Sequence, residues 1–101
     1  MHGMMSAAYK DGSYVGNAAD AFYGYIQVKA VIQNGAITDV QFLQHPNDHS
    51  TSIEINNQAM PYLKQEAIKA QSSQVDIVSG ATDTSYAFIE SLKTALNKAR
   101  T

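Results

Sequence analysis

Asn34-Gly35, set between two runs of alternating apolar and polar residues, limits the folds open to this chain more than any other feature. Asparagine followed by glycine tolerates positive φ and so readily turns a strand back on itself. Residues 22–43 therefore read as a β-hairpin. A two-residue loop would oppose Lys29 to Val40 and Gln27 to Phe42, mixing polar and apolar side chains on one face. A three-residue loop through Gln33, Asn34 and Gly35, a type I turn followed by Gly35 in a left-handed bulge, removes that conflict. It opposes Val28 to Val40 and Ile26 to Phe42 on an inner face, and Lys29 to Asp39 and Gln27 to Gln41 on an outer one. This register is expected, because a slip by one residue carries every apolar side chain to the wrong face.

Helical periodicity supplies the cover for the inner face. Thr51-Ser-Ile-Glu54 has the spacing of a capping box, and Ile55, Ala59, Leu63, Ala67 and Ala70 follow at helical intervals. Pro61 lies inside this run and removes a backbone hydrogen bond, so a kink or break is expected at Met60, with Pro61 opening a second segment. The helix is expected to end near Gln71, and a short β-branched strand to follow over residues 75–78. A last helix is predicted over residues 84–99, with Ile89, Leu92, Leu96 and Ala99 as its core stripe and Phe88 and Ala95 beside it. A first short strand fits residues 13–18. The fold class is then α+β, a small antiparallel sheet around a central hairpin with two helical segments packed on it. Residues 1–11 are expected to stay outside this domain, disordered or foreign to the native start, and residues 12–101 to form it.

Composition narrows the chemistry. A chain of 101 residues with 45% hydrophobic and 16% charged residues is one globular unit with a modest core. A net charge of -2 with scattered lysines gives no basic face, which argues against nucleic acid as a partner. Without cysteine there is no disulfide, thiolate metal site or dithiol redox chemistry, so electron transfer would need a bound cofactor. No apolar run approaches the roughly 20 residues that span a bilayer. His45, Asp48 and His49 form a short cluster without a third firm ligand elsewhere, so no metal site is expected. No spacing supports a serine-histidine-acid arrangement, and no catalytic residue is assigned.

The stretch Asp76-Ile-Val-Ser-Gly-Ala-Thr-Asp-Thr-Ser85 carries the strongest functional signal. It reads as a strand, a tight turn and a helix start. A helix N-terminus presents unpartnered N–H groups and a partial positive charge, which suit a phosphate. Gly80 and Ala81 leave room for one, and Ser79, Thr82, Thr84 and Ser85 offer hydroxyls. An ordinary capped helix, with Thr82 or Asp83 as N-cap, explains the same residues equally well on spacing alone.

Asp76, Ser79, Gly80, Ala81 and Thr82 match position by position the flavinylation motif of the FMN-binding domain family, and the chain resembles the small soluble members of that family more widely. Further resemblances are Gly12-Ser-Tyr-Val-Gly16, Tyr23-Gly24, residues 34–40, Ile55-Asn56 followed by Pro61, and Ala70-Gln71-Ser72. The family includes flavin-carrying subunits of the Rnf complex and of the sodium-translocating NADH:quinone oxidoreductase. The resemblance implies FMN, bound covalently or reversibly, with its phosphate esterified to Thr82 by a separate flavin transferase that recognises Asp76. It also implies an electron carrier rather than a stand-alone catalyst, working with membrane-associated redox proteins in the cell envelope. The full-length protein would be extracytoplasmic or membrane-associated, whereas this chain shows neither signal nor anchor. A flavin ring needs an apolar wall and a few polar contacts, for which Tyr23, Gly24, Tyr25, Tyr14, Asn56 and His45 with Asn47 are candidates, although each tyrosine also fits plain cross-strand packing. A non-covalent FMN-dependent reductase and a flavin-free partner-binding module of the same fold are the alternatives.

Overall fold

A computed structural model of the chain describes residues 9–21, 24–44 and 50–100, the side chains of residues 50–57 excepted. Its elements are β1 (Gly12–Val15), β2 (Ala19–Asp20), β3 (Tyr25–Gln33), β4 (Ala36–Gln44), α1 (Ser50–Ala70) and α2 (Thr82–Ala99). β3 is the organising strand and pairs antiparallel with β1, β2 and β4. The α+β class expected from the sequence is the one observed.

Asn34 and Gly35 form a two-residue turn, both with positive φ (57° and 78°), as a type I′ hairpin requires. Gly35 is left-handed as expected, but the three-residue loop is corrected, and with it the register. Ile32 faces Ile37, and then Val31 faces Asp39, so Thr38 is the extra residue of a bulge. Beyond it Ala30 faces Val40 and Val28 faces Phe42, where Val28 against Val40 was expected. Beyond the bulge the shift is by two positions, so the side chains there keep their faces, while on the turn side Ile37 moves from the expected outer face to the buried one. The bulge resolves inside the strand the phase conflict that the longer loop was invoked to resolve at the turn.

The inner face of β3, made of Ile26, Val28, Ala30 and Ile32, is buried together with Ile37 and Val40 of β4. Ala59, Leu63 and Ala67 of α1 and Phe88, Leu92, Ala95, Leu96 and Ala99 of α2 cover it. Each large aliphatic so buried contributes about 1.5–3 kcal/mol over its exposed state. Ala70 is exposed and Ile89 only half-buried, because both lie at the margins of the predicted stripes.

α1 runs unbroken through Pro61, so of the kink or break expected at Met60 the break does not occur. Buried Ala59 on one side of the proline and Leu63 and Ala67 on the other hold both halves to the same core, which outweighs one missing hydrogen bond. The helix closes at Gln71 (φ 56°), whose N–H donates to the Ala67 carbonyl at 2.8 Å. The Gln71 amide then pairs with the β4 backbone. Its Oε1 accepts the Ile37 N–H at 2.7 Å, and its Nε2 donates to the Ile37 carbonyl at 3.0 Å.

Residues 9–11, expected to be loose, are tied down at three places. The Tyr9 hydroxyl donates to the Gln71 carbonyl (3.0 Å), and the Lys10 N–H donates to the Ala99 carbonyl (2.7 Å). The Asp11 carboxylate accepts the Asn34 and Gly35 N–H groups at 3.1 and 2.9 Å, stabilising the hairpin turn.

The strand expected over residues 13–18 ends at Val15, where the chain meets α2, and β2 follows only at Ala19. A Cβ on Gly16 would lie 1.8 Å from the Ser91 carbonyl oxygen. Ser91 is fully buried, and its hydroxyl accepts the Val28 N–H at 3.0 Å, supplying the partner that β1 ceases to provide. The strand expected over residues 75–78 is absent, since that segment pairs with no other strand.

Candidate functional site

Val78, Ser79, Gly80 and Ala81 make a tight turn closed by the Ala81 N–H donating to the Val78 carbonyl at 2.9 Å. Gly80 has φ 84°, as the third position of a type II turn demands, and its Cβ direction points into open space. α2 then begins at Thr82, two residues earlier than predicted. Its N-cap is Ala81, no side chain caps it, and neither Thr82 nor Asp83 takes that place. No capping side chain therefore competes with an outside acceptor at this helix start.

The four hydroxyls of the stretch separate into two kinds. Ser85 is fully buried, donating to the Ala81 carbonyl at 2.7 Å and accepting the Val78 N–H at 3.0 Å. Named from sequence among the cofactor-binding candidates, it fastens the turn to the helix. Thr84 is buried as well. Ser79 and Thr82 are exposed, with Gly80 between them exposed and Ala81 buried beneath. Asp76 and Asp83 are also exposed, so neither carboxylate is held against the turn.

The remaining candidates are scattered. Gly24 is half-buried and its carbonyl accepts the Ala21 N–H at 2.7 Å, forming the corner before β3, while Tyr25 is exposed at the start of that strand. Tyr14 is removed from the site. Its hydroxyl donates to the carbonyls of Lys10 (2.9 Å) and Asp11 (3.1 Å), and Lys10 is bonded to Ala99 at the far end of α2. Tyr23 and His45 lie outside the described residues, and Asn56 is described only as backbone within α1. Among the described residues no cluster of histidine and carboxylate could hold a metal ion.

One feature was missed from sequence. A groove of about 400 Å³ opens between β4 and α1, lined by Phe42, Met60, Pro61, Lys64 and Gln65. Phe42 stacks on Phe88 of α2, with ring centroids 5.5 Å apart. At the groove Lys64 Nζ lies 3.3 Å from the Asp39 carboxylate. Partial burial raises the Asp39 pKa, but hydrogen bonds from Lys64 and the Val40 backbone and the Lys64 charge outweigh it and leave the pKa below the ordinary value. No periodicity signals this groove, because its walls come from two elements brought together only by folding.

The model of the FMN-binding domain matches residues 22–97, and the chain belongs to that family. Its cofactor is accordingly FMN. Among solved structures, the CPE2226 protein from Clostridium perfringens shares its fold with a TM-score of 0.69 and 23% identity, over 90% of this chain and 88% of that one. No protein of curated function matches the sequence. The turn fits a phosphate on its own geometry, with an uncapped helix start, an exposed hydroxyl at its first residue and open space before Gly80. FMN, when bound, would supply redox chemistry that the side chains lack. No described helix is long and apolar enough to cross a membrane.

Proposed function

We propose that this domain is a redox carrier whose FMN is attached through a phosphoester to Thr82 by a separate flavin transferase. The observation that carries the reading is Thr82 itself, exposed as the first residue of an α2 whose N-terminus no side chain caps. Neighbouring N–H groups are oriented to stabilise a phosphodiester there. Among the described residues nothing bonds to the Thr82 hydroxyl, so its activation is assigned to the transferase. The step uses FAD. The Thr82 oxygen attacks the FMN phosphorus, the pyrophosphate bond breaks, AMP departs, and the hydroxyl proton passes to the enzyme. Asp76, exposed just before the turn, is the recognition element. Ser79, Gly80, Ala81 and the backbone near Thr84 cradle the phosphate, while Tyr23, Gly24, His45 and Asn56 surround the rest of the flavin. A covalent link prevents loss of flavin when its redox state changes, which suits a carrier between membrane-associated partners at the cell envelope.

The test is co-expression with a flavin transferase, followed by denaturation. A yellow chromophore should remain on the peptide containing Thr82 with the mass increase of FMN, and Thr82→Ala should retain none. Equal retention by the variant, or none in wild type, removes the covalent reading in favour of reversible FMN.

A further inference from the structure

We propose that the cavity between the end of α2 and the turn after α1 binds a small organic dianion, a short dicarboxylate, with Lys93 and Arg100 each meeting one anionic group. The cavity has a volume of about 290 Å³, near the lower end of small-molecule sites. It lies far from the turn before α2. Leu96, a buried residue of its lining, is fourteen residues beyond Thr82, about 21 Å along the helix. The inference therefore stands apart from the reading of Thr82. The cavity's walls are held by contacts within the fold. Tyr9 pairs with Arg100 in an antiparallel bridge and its hydroxyl donates to the Gln71 carbonyl at 3.0 Å, so this residue joins the end of α1 to the end of α2. The turn over residues 72–75 is fixed by the Val75 N–H donating to the Ser73 carbonyl at 3.0 Å and the Gln74 N–H donating to Ser72 Oγ at 3.1 Å.

The lining is rich in unpartnered donors. Ser72 Oγ accepts within its own turn, which leaves its hydroxyl proton for a ligand. Ser73, half-buried like Ser72, has no partner for its hydroxyl among the described residues. Lys93 and Arg100 add two cations, the described lining holds no acidic residue, and neither cation has a carboxylate partner among the described residues. The helix dipole accounts for a cation at Arg100, but Lys93 lies about two turns earlier and gains little from it. Two cations and two hydroxyl donors with no acid beside them select an anion.

Spacing selects two anionic groups rather than one. Lys93 and Arg100 are seven residues apart, about 10 Å along the axis, which is more than one compact anion spans. Two carboxylates a few carbons apart let the Arg100 guanidinium make paired hydrogen bonds to one while the Lys93 ammonium meets the other. Leu96 and Tyr9 give the intervening carbons an apolar surface.

The test titrates the full chain with glutarate and follows backbone amide chemical shifts, with acetate and inorganic phosphate as comparators. Glutarate should move the amides of residues 72–74 and 93–100 saturably and bind roughly tenfold more tightly than either comparator. Lys93→Gln and Arg100→Gln should each weaken it roughly tenfold. Lys98→Gln removes the same charge from the same stretch, but Lys98 Nζ donates to the Val15 carbonyl at 2.7 Å and does not line the cavity, so this variant should bind as wild type does. All three substitutions are at exposed positions and leave the core untouched. Absence of saturable shifts with glutarate would overturn the proposal. An equal loss in Lys98→Gln would also overturn it, as general charge attraction, and so would phosphate binding as tightly as glutarate, as a site for one compact anion.

Discussion

Two glycines beside α2 show how differently one residue type can be used. Gly16 is buried where the chain leaves β1, with the Ser91 carbonyl 1.8 Å from the place a Cβ would occupy. Gly80 is exposed at the other end of the contact, before the first turn of the helix, with nothing in the way of a Cβ but a φ of 84°. The first is a glycine of packing and the second a glycine of backbone conformation. Around Gly16 the backbone groups find partners inside the fold. Its N–H donates to the Val28 carbonyl, the Asn17 N–H to Thr94 Oγ1, and the Val28 N–H to Ser91 Oγ. After Gly80 the helix start is left uncapped. The closed region holds the helix on the sheet, and the open one is free to meet an anion.

Gly16→Ala should have the largest effect. The clash is with backbone that the core fixes on both sides, so the loss should reach or exceed the about 1–3 kcal/mol usual for overpacking, read by urea or thermal unfolding. Gly80→Ala should cost less, about 1–2 kcal/mol from left-handed strain alone, with an unchanged far-ultraviolet spectrum and a reduced extent of flavinylation. Equal losses of stability for the two variants would break the contrast between packing and conformation.

The smallest effect belongs to the Lys64–Asp39 pair at β4, across β3 from the end of β1 where Gly16 lies. Its folded carboxylate titrates below the ordinary value, so its stabilisation is present above the unfolded pKa of about 3.9 and is lost as pH falls through the lower folded value. With both side chains more than a third exposed, the contribution is about 0.2–1 kcal/mol. Asp39→Asn should therefore lose that amount at neutral pH and nothing in strong acid, checked by urea unfolding at each pH.

Much of the architecture was legible because it follows from interactions a few residues long. Alternation gave the inner and outer faces of β3 and of β4 beyond the bulge, which survived a two-position error in register, while Ile37 changed face. Gly35 was identified as left-handed from its place after Asn34, and the two helices from their periods. The anion-ready turn before α2 was visible as small and hydroxylated residues ahead of a helical pattern. What sequence spacing did not separate was Ser85 from Ser79 and Thr82. All three are hydroxyls near a helix start, but only packing turned Ser85 inward to bond Val78 and Ala81.

The residues alone therefore established most of the core-facing positions and that the chain turns at Asn34-Gly35, since dihedral preference and periodicity are local. Folding chose among options that local preference leaves equal in energy. It set which same-face partner each strand residue meets, whether Thr38 bulges out, and whether Pro61 breaks α1. It also brought Gly16 against Ser91 and placed Phe42 beside Met60 and Lys64 to make the groove. Those outcomes depend on contacts between elements far apart in the chain, whose sum appears only when the whole core is packed.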